Sequence, residues 1–271
     1  MLTIDDFKPS KKLGQNFLVD ESVAEREAEY LDCNGKSVLE IGAGTGNLTE
    51  KILEAGAREI TAIEKDARLA RELRVKFVEE KKIEIEHADF LEREVGGEAG
   101  KAKKIDRIAS NVPYCISSPL LFKLTEYDFD LAVLCLQKEF VEHMVAKPGN
   151  KKYSRLSVTS QTCFEMEVME LVPPYAFRPQ PKVSSAIIRV KKTGKEIEKE
   201  TAKVLTNIFS HKKNTIRKAV ISSAVGLNLE KKQAMEVADS LEEKNERVFT
   251  LEPERALAIS RKIGEKCGKI G

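Results

Sequence analysis

The stretch VLEIGAGTGNLT, Val38 to Thr49, changes its hydrophobic period halfway along. Up to Ile41 it belongs to an apolar run, SVLEIG over residues 37–42, which has the unbroken hydrophobicity of a strand buried on both faces. From Asn47 to Ala55 the period becomes helical, and Gly56 ends it. Between the two, Gly42, Gly44 and Gly46 make a strand-to-helix turn whose backbone can approach a ligand closely, with a helix N-terminus just beyond. The spacing G-x-G-x-G differs from the dinucleotide pattern G-x-G-x-x-G, and read alone it also suits a plain tight turn.

Outward from this turn the same alternation repeats. Apolar runs at 59–64 (EITAIE), 82–89 (KIEIEHAD), 105–110 (IDRIAS), 130–137 (DLAVLCLQ) and 184–192 (SSAIIRVKK) read as strands. Residues 21–31, 67–80 and 117–126 read as helices, the last capped by Ser117 or Ser118 with Pro119 in its first turn. Strands alternating with helices predict an α/β fold, a doubly wound parallel sheet. The charged stretch KKTGKEIEKE, 191–200, reads as a linker, and the remainder to Gly271 has helical periodicity without a convincing strand. The expected domains are 1–192, α/β, and 193–271, small and helical.

Composition narrows the class. Basic and acidic residues nearly balance, 46 against 44, so a nucleic-acid surface has to come from local clustering. Five scattered cysteines form no C-x-x-C pair and stand far from the three histidines, so neither a zinc site nor a disulfide framework is expected. No apolar run approaches the ~18 residues of a membrane span, and the N-terminus lacks a signal-peptide core. A cytoplasmic protein, a monomer with no metal and no membrane contact, is the expectation.

The ends of the predicted strands carry the chemistry. Glu64 closes the strand after the glycine turn, where a carboxylate can accept both ribose hydroxyls of a nucleoside. Asp89 ends the next strand within reach of an adenine amino group, and Asn111 ends the one after. All lie on the carboxyl rim of the sheet, where such folds bind ligands. Glu40, just before the glycines, suits a ligand with a positive charge, a sulfonium or an amino group. That favours S-adenosylmethionine over a dinucleotide. With a methyl donor on the rim, the sequence SNVPY, 110–114, acquires a purpose. The exocyclic amine of adenine is a weak nucleophile, its lone pair delocalised into the ring. The Asn111 side-chain oxygen and a backbone carbonyl, that of Val112, would accept its two hydrogens. Pro113 holds the turn and removes a competing donor, and Tyr114 offers a stacking face to a flipped base. A proline turn with a structural Asn and a half-buried Tyr is the plainer reading of the same residues.

Taken in order, KKLGQNFLVD (11–20), EIGAGTGNLT (40–49), IEKD (63–66), HADF (87–90), NVPY (111–114), LQKEF (136–140), YSRLSV (153–158), FRPQPKVSSA (177–186) and HKKNTIRKA (211–219) resemble the KsgA-type ribosomal RNA adenine dimethyltransferases. The resemblance implies a Rossmann-like, S-adenosylmethionine-dependent methyltransferase domain and a small helical C-terminal domain. It implies N6,N6-dimethylation of two adjacent adenosines near the 3′ end of small-subunit ribosomal RNA, within an assembling small subunit. By the same resemblance, residues 1–20 close the site, with Gln15, Asn16 and Leu18 over the methionine end of the cofactor. Gly42, Gly44, Glu64, Asp89 and Asn111 hold the cofactor, and Asn111, Pro113, Tyr114 and Phe177 handle the target base.

Basic side chains cluster before the GQNFL loop (Lys11, Lys12), at 151–155 (Lys151, Lys152, Arg155), beside Phe177 (Arg178, Lys182) and in the tail (Lys212, Lys213, Arg217). They can follow a phosphate backbone; solvated lysine faces are the plainer account. Three rival functions share these features: a large-subunit RNA methyltransferase, an assembly factor with methylation secondary, and a transcription factor derived from the fold.

Overall fold

The computed structural model describes residues 9–10, 14–94 and 105–268. After a short strand β1 (Phe17–Leu18) and helix α1 (Glu21–Leu31), the chain forms β2 (Ser37–Ile41), α2 (Asn47–Glu54), β3 (Glu59–Glu64), α3 (Ala67–Lys76) and β4 (Ile83–His87). These three strands pair in parallel, each step outward toward one edge. β5 (Ile105–Asn111) then returns to the other side of β2, and α4 (Ser117–Leu124) leads on to β6 (Phe129–Gln137), again parallel. The reversal at β2 and β5 opens a crevice beyond the carboxyl ends of the strands.

The sheet continues through β9 (Ser185–Lys192) to β7 (Phe164–Val172), giving the order β4-β3-β2-β5-β6-β9-β7. β9 runs antiparallel to β6, so the sheet is mixed and departs from the all-parallel expectation at this side. β7 lies outside the runs read as strands. Its sequence, FEMEVMELV, carries three glutamates and is fully buried only at its two ends, as an edge strand guarded by charge is. A separate two-stranded ribbon pairs β1 with β8 (Phe177–Arg178), matching Leu18 to Phe177 across 159 residues of chain.

Local chemistry explains the element ends. Asp20 caps α1 by accepting from the N–H groups of Ser22 and Val23 at 3.1 and 3.3 Å. Asp66 caps α3 through the N–H of Arg68 at 3.0 Å. At α4 the expected serine cap is not what forms. The helix begins at Ser117 with Ile116 in the cap position, and the Ser117 hydroxyl instead donates back to the Tyr114 carbonyl. Leu39, Ile41, Ile52, Ile60, Ile63, Leu73 and Ile108 are all nearly sealed from solvent, each contributing about 1.5–3 kcal/mol relative to an exposed side chain.

Gly46 shows how tightly the glycine turn is built. It sits at φ +81, and a Cβ there would meet Leu73 Cδ2 at 2.8 Å and Phe77 Cε2 at 2.9 Å. Gly46→Ala therefore combines a left-handed backbone with overpacking, and a loss of about 2–4 kcal/mol is expected in urea unfolding. A loss within about 0.5 kcal/mol would mean that α3 moves aside freely.

The chain divides into two compact units, 1–141 with Glu165–Lys192, and Glu142–Phe164 with Thr193–Gly271. The second takes in a segment that the boundary at 192/193 leaves in the first. The reason is its core: Ala146, Tyr153 and Val158 are buried with Val204, Leu205, Ile208 and Phe209 of α7 (Lys199–Ser210), and the Tyr153 hydroxyl donates to the Leu251 carbonyl at 2.7 Å. Helices α5 (Lys138–Met144) and α6 (Arg155–Cys163) bracket that segment, and α8 (Ile216–Ser222), α9 (Lys231–Asp239) and α10 (Pro253–Gly268) complete the bundle. Among the described residues, no helix is long and apolar enough to cross a membrane, and no three His, Cys, Asp or Glu residues are grouped to hold a metal ion.

Candidate active site

One cavity of about 190 Å³ opens at the carboxyl ends of β2, β3, β4 and β5. Gln15, Asn16, Leu18, Gly42, Gly44, Glu64, Asp89, Asn111, Pro113, Tyr114 and Phe177 all line it. Every residue that the sequence assigned to cofactor or target base is thus brought to the same wall-to-wall space. Of the basic residues proposed for RNA, none of those among the described residues lines it.

The glycine turn is fastened to the next strand. Gly42 and Ala43 donate their N–H groups to the Ile63 carbonyl, and Gly44 N–H donates to Glu64 Oε2 at 2.9 Å. The other Glu64 oxygen, Oε1, accepts from Asp66 N–H at 2.7 Å. Burial raises the Glu64 carboxyl above its ordinary range, and these two donors oppose the shift. A Cβ on Gly44 would stand 3.2 Å from Phe17 Cδ1 with φ at +58, so this wall admits only bare backbone.

Two further acids frame the space. Glu40 is wholly buried, its Oε2 accepting from the Thr49 hydroxyl at 2.6 Å, and burial pushes it up to about 8. Asp89 takes the ammonium of Lys65 on one oxygen and the Leu91 N–H on the other. Burial pulls Asp89 upward, but Lys65 and Leu91 outweigh it and hold the carboxyl below its usual range. Lys65 was not among the residues read from the sequence; its place right after Glu64, beside the rim, is the signal.

The N-terminal segment is tied over the cavity by Gln15. Its Nε2 donates to Asp66 Oδ2 at 3.1 Å and its Oε1 accepts from Ser10 N–H. Asn47, at the start of α2, donates to the Leu18 carbonyl at 2.8 Å. Lys11 and Lys12 lie outside the described residues.

The NVPY turn follows β5. Val112 N–H donates to the Cys135 carbonyl, and Pro113, with no N–H, begins a short helical turn. The Tyr114 hydroxyl pairs with Ser185 Oγ at 2.8 Å, which anchors the ring edge. Asn111 Nδ2 donates to Glu27 Oε2 at 3.0 Å, whereas Asn111 Oδ1 is buried and has no partner among the described residues. Sequence reading missed Glu27. It sits in the apolar stripe of α1 with Val23, Ala24, Ala28 and Leu31, and a charge in such a stripe is the signal that could have found it.

S-adenosylmethionine fits these features: a backbone-only wall at Gly44, a buried carboxyl at Glu40 for its positive charge, and Glu64 and Asp89 for the nucleoside. Each carboxylate oxygen has room for a second hydrogen bond beyond those already made.

In the helical unit, several basic side chains have partners within that unit. The Lys212 ammonium donates to the Lys151 and Tyr153 carbonyls at 2.9 and 2.7 Å. Arg217 forks onto both oxygens of Asp239, Lys152 pairs with Glu142, and Arg155 donates to the Thr206 hydroxyl. Lys151 and Lys213 are exposed, as are Arg178 and Lys182 in the α/β unit.

The buried acids make stability depend on pH. Glu27 and Glu40 are each pushed up to about 8 from an ordinary value of 4.5, by burial first. Between those values the folded chain holds protons that the unfolded chain has lost, so stability falls as pH rises from about 5 to 8 and levels off above. Asp66 acts oppositely: the Arg68 guanidinium lowers it to about 2, and its contribution is lost only as pH falls below about 4. In Glu40→Gln the fall between pH 5 and 8 should be shallower when Tm is followed against pH. An unchanged slope would place the Glu40 carboxyl near its ordinary value.

The family model for ribosomal RNA adenine dimethylase matches residues 6–255. The chain is similar to the probable ribosomal RNA small subunit methyltransferase A of Methanopyrus kandleri, with 38% identity over 269 residues, 96% of this chain and 94% of the relative. The protein of the same name from Thermococcus gammatolerans is 36% identical over 261 residues, 94% and 89% of the two chains. Among solved structures, a dimethyladenosine transferase from Plasmodium falciparum matches with a TM-score of 0.77 at 27% identity, covering 92% of this chain and 98% of the other. The 23S rRNA methyltransferase ErmE matches with a TM-score of 0.64, also at 27% identity, covering 92% and 99%. A family model spanning most of the chain, and relatives similar along nearly their whole length, make this protein a member of the ribosomal RNA adenine dimethylase family, methyltransferases that draw on S-adenosylmethionine.

Proposed function

We propose that the protein dimethylates N6 of two adjacent adenosines near the 3′ end of small-subunit ribosomal RNA, on the assembling small subunit. The single observation that carries the catalytic part is Asn111 Oδ1, a buried acceptor without a partner among the described residues, on a residue that lines the cavity. A buried carbonyl oxygen left bare costs about 1–3 kcal/mol, which a ligand donor would recover. The relatives called small subunit methyltransferase A are more similar, at 36–38% identity, than the 23S enzyme at 27%, and this favours the small subunit.

S-adenosylmethionine supplies a methyl group made electrophilic by its sulfonium. The chain's own residues do the rest. Glu64, steadied by the Gly44 and Asp66 N–H groups, accepts the ribose hydroxyls. Asp89 uses its remaining lone pairs for the adenine amino group. Gln15, Asn16 and Leu18 close the mouth. At the target, Asn111 Oδ1 accepts one N6 hydrogen and the Val112 carbonyl the other, drawing the lone pair out of the ring. Tyr114 and Phe177 stack the flipped base, worth about 1–3 kcal/mol. Transfer then rests on positioning and fixed dipoles rather than a strong base, since the product ammonium gives up its proton readily. Lys151, Lys213, Arg178 and Lys182 follow RNA phosphates, with Lys11 and Lys12 before the GQNFL loop. Lys152, Arg155, Lys212 and Arg217 make contacts within their own unit.

The test is methyl transfer from labelled S-adenosylmethionine to unmethylated small subunits, free small-subunit RNA and large-subunit RNA, with mass spectrometry of the product. Dimethyladenosine at adjacent positions of the small subunit is expected. Label in large-subunit RNA would reassign the substrate, and binding to subunits without label on any substrate would make the protein an assembly factor.

A further inference from the structure

Glu27 is 2% exposed on the buried face of α1. If packing were all that mattered, Leu or Met would serve better there, because a buried carboxyl loses its hydration and is repaid only by its contacts. Its surroundings repay little. Glu40 on β2, Cys135 on β6 and Glu170 on β7 are the titratable groups around it, and the two carboxyls oppose its charge. Its Oε1 has no hydrogen-bond partner among the described residues. The Cys135 side chain is a favourable neighbour, and Oε2 accepts from Asn111 Nδ2 at 3.0 Å across 84 residues of chain.

That contact decides which end of the Asn111 amide is left without a partner. A primary amide fills nearly the same space in either orientation, and the two differ only in whether donors or an acceptor point outward. Turned the other way, Asn111 would present N–H groups to an amine that itself donates. With its N–H held by Glu27, the carbonyl oxygen is left without a partner among the described residues, on a residue that lines the cavity. Accepting from Nδ2 also polarises the amide, so Oδ1 becomes the stronger acceptor.

We propose that Glu27 is a positioning residue for methyl transfer, which locks the Asn111 amide with its oxygen toward the target amine. This rests on the reading of Asn111 as the acceptor of an N6 hydrogen.

The experiment compares full-length wild type with Glu27→Leu, Glu27→Gln, Asn111→Ala and the Glu27→Leu/Asn111→Ala double variant. In Glu27→Leu, kcat should fall about 10- to 100-fold, with KM for S-adenosylmethionine and Tm no worse than wild type. Glu27→Gln keeps an acceptor oxygen and should recover most of kcat. The double variant should be no slower than Asn111→Ala alone, because Glu27 acts only through that amide. Glu27→Met, of similar volume, replaces the leucine variant should that one fail to fold. Wild-type kcat in Glu27→Leu or Glu27→Met overturns the proposal, as does an equal slowing of wild type and Asn111→Ala. If Asn111→Ala itself keeps wild-type kcat, the acceptor reading falls and the proposal with it; if only the Glu27 variants are silent, the acceptor reading stands.

Discussion

Asn111→Ala should slow single-turnover methyl transfer by about 10²–10³-fold, the range seen when one fixed polar group at a reacting centre is removed. The affinity for S-adenosylmethionine should change far less, because Gly44, Glu64 and Asp89 keep their places on the same rim. The substitution removes the bare oxygen Oδ1 and leaves Glu27 Oε2 without its donor. A stability loss of about 1–3 kcal/mol should accompany the kinetic loss, the cost of stranding a buried polar group. Asn111→Asp is an instructive contrast. It keeps an acceptor but sets a second carboxyl against Glu27, already raised to about 8, so the pair must retain a proton and the variant should be less stable as pH rises. Rapid-quench transfer of labelled methyl, paired with calorimetric binding of the cofactor, separates the two effects. A variant that binds cofactor normally and transfers methyl at the wild-type rate would remove Asn111 from the chemistry.

Glu64→Ala should weaken cofactor binding by at least about 100-fold, since charged hydrogen bonds of this kind contribute about 1.5–3 kcal/mol each and the ribose would lose two. The same substitution strips the acceptor from Gly44 N–H and Asp66 N–H, at 2.9 and 2.7 Å. The glycine turn and the end of β3 are then no longer joined by a side chain, and Tm should fall as well. Glu64→Gln distinguishes the roles. Its amide oxygen can keep one backbone donor, but its NH₂ faces the other, so most of the fold's stability should return while ribose recognition stays impaired. Wild-type affinity in Glu64→Ala, by isothermal titration, would remove the carboxylate from the cofactor site.

How far the molecule could be read from its residues depends on the range of each interaction. The strand from Glu59 to Glu64 and the helix from Glu21 to Leu31 fall at the expected bounds, because a period of buried side chains and a capping Asp act within a few residues of chain. β7 escaped although FEMEV, 164–168, alternates apolar residues with Glu, because it follows α6 directly, with no turn residue to mark the change of period. The β1–β8 ribbon escaped because two residues hold too little pattern to announce a strand. The partners of Lys212 and Arg217, carbonyls at 151 and 153 and the carboxylate of Asp239, come from other elements and leave no mark on the local charge pattern.

The rim of acids and amide at the strand ends was present in the linear order itself, because parallel βα units always deliver those ends to one edge. The occupancy of each group was not. That Glu64 is held by two backbone donors, that Asp89 meets Lys65, and that Glu27 turns the Asn111 amide are contacts between elements far apart in sequence. Hydrophobic period says which face of a helix is buried but not which side chain it meets there, and only packing brings α1 against the end of β5.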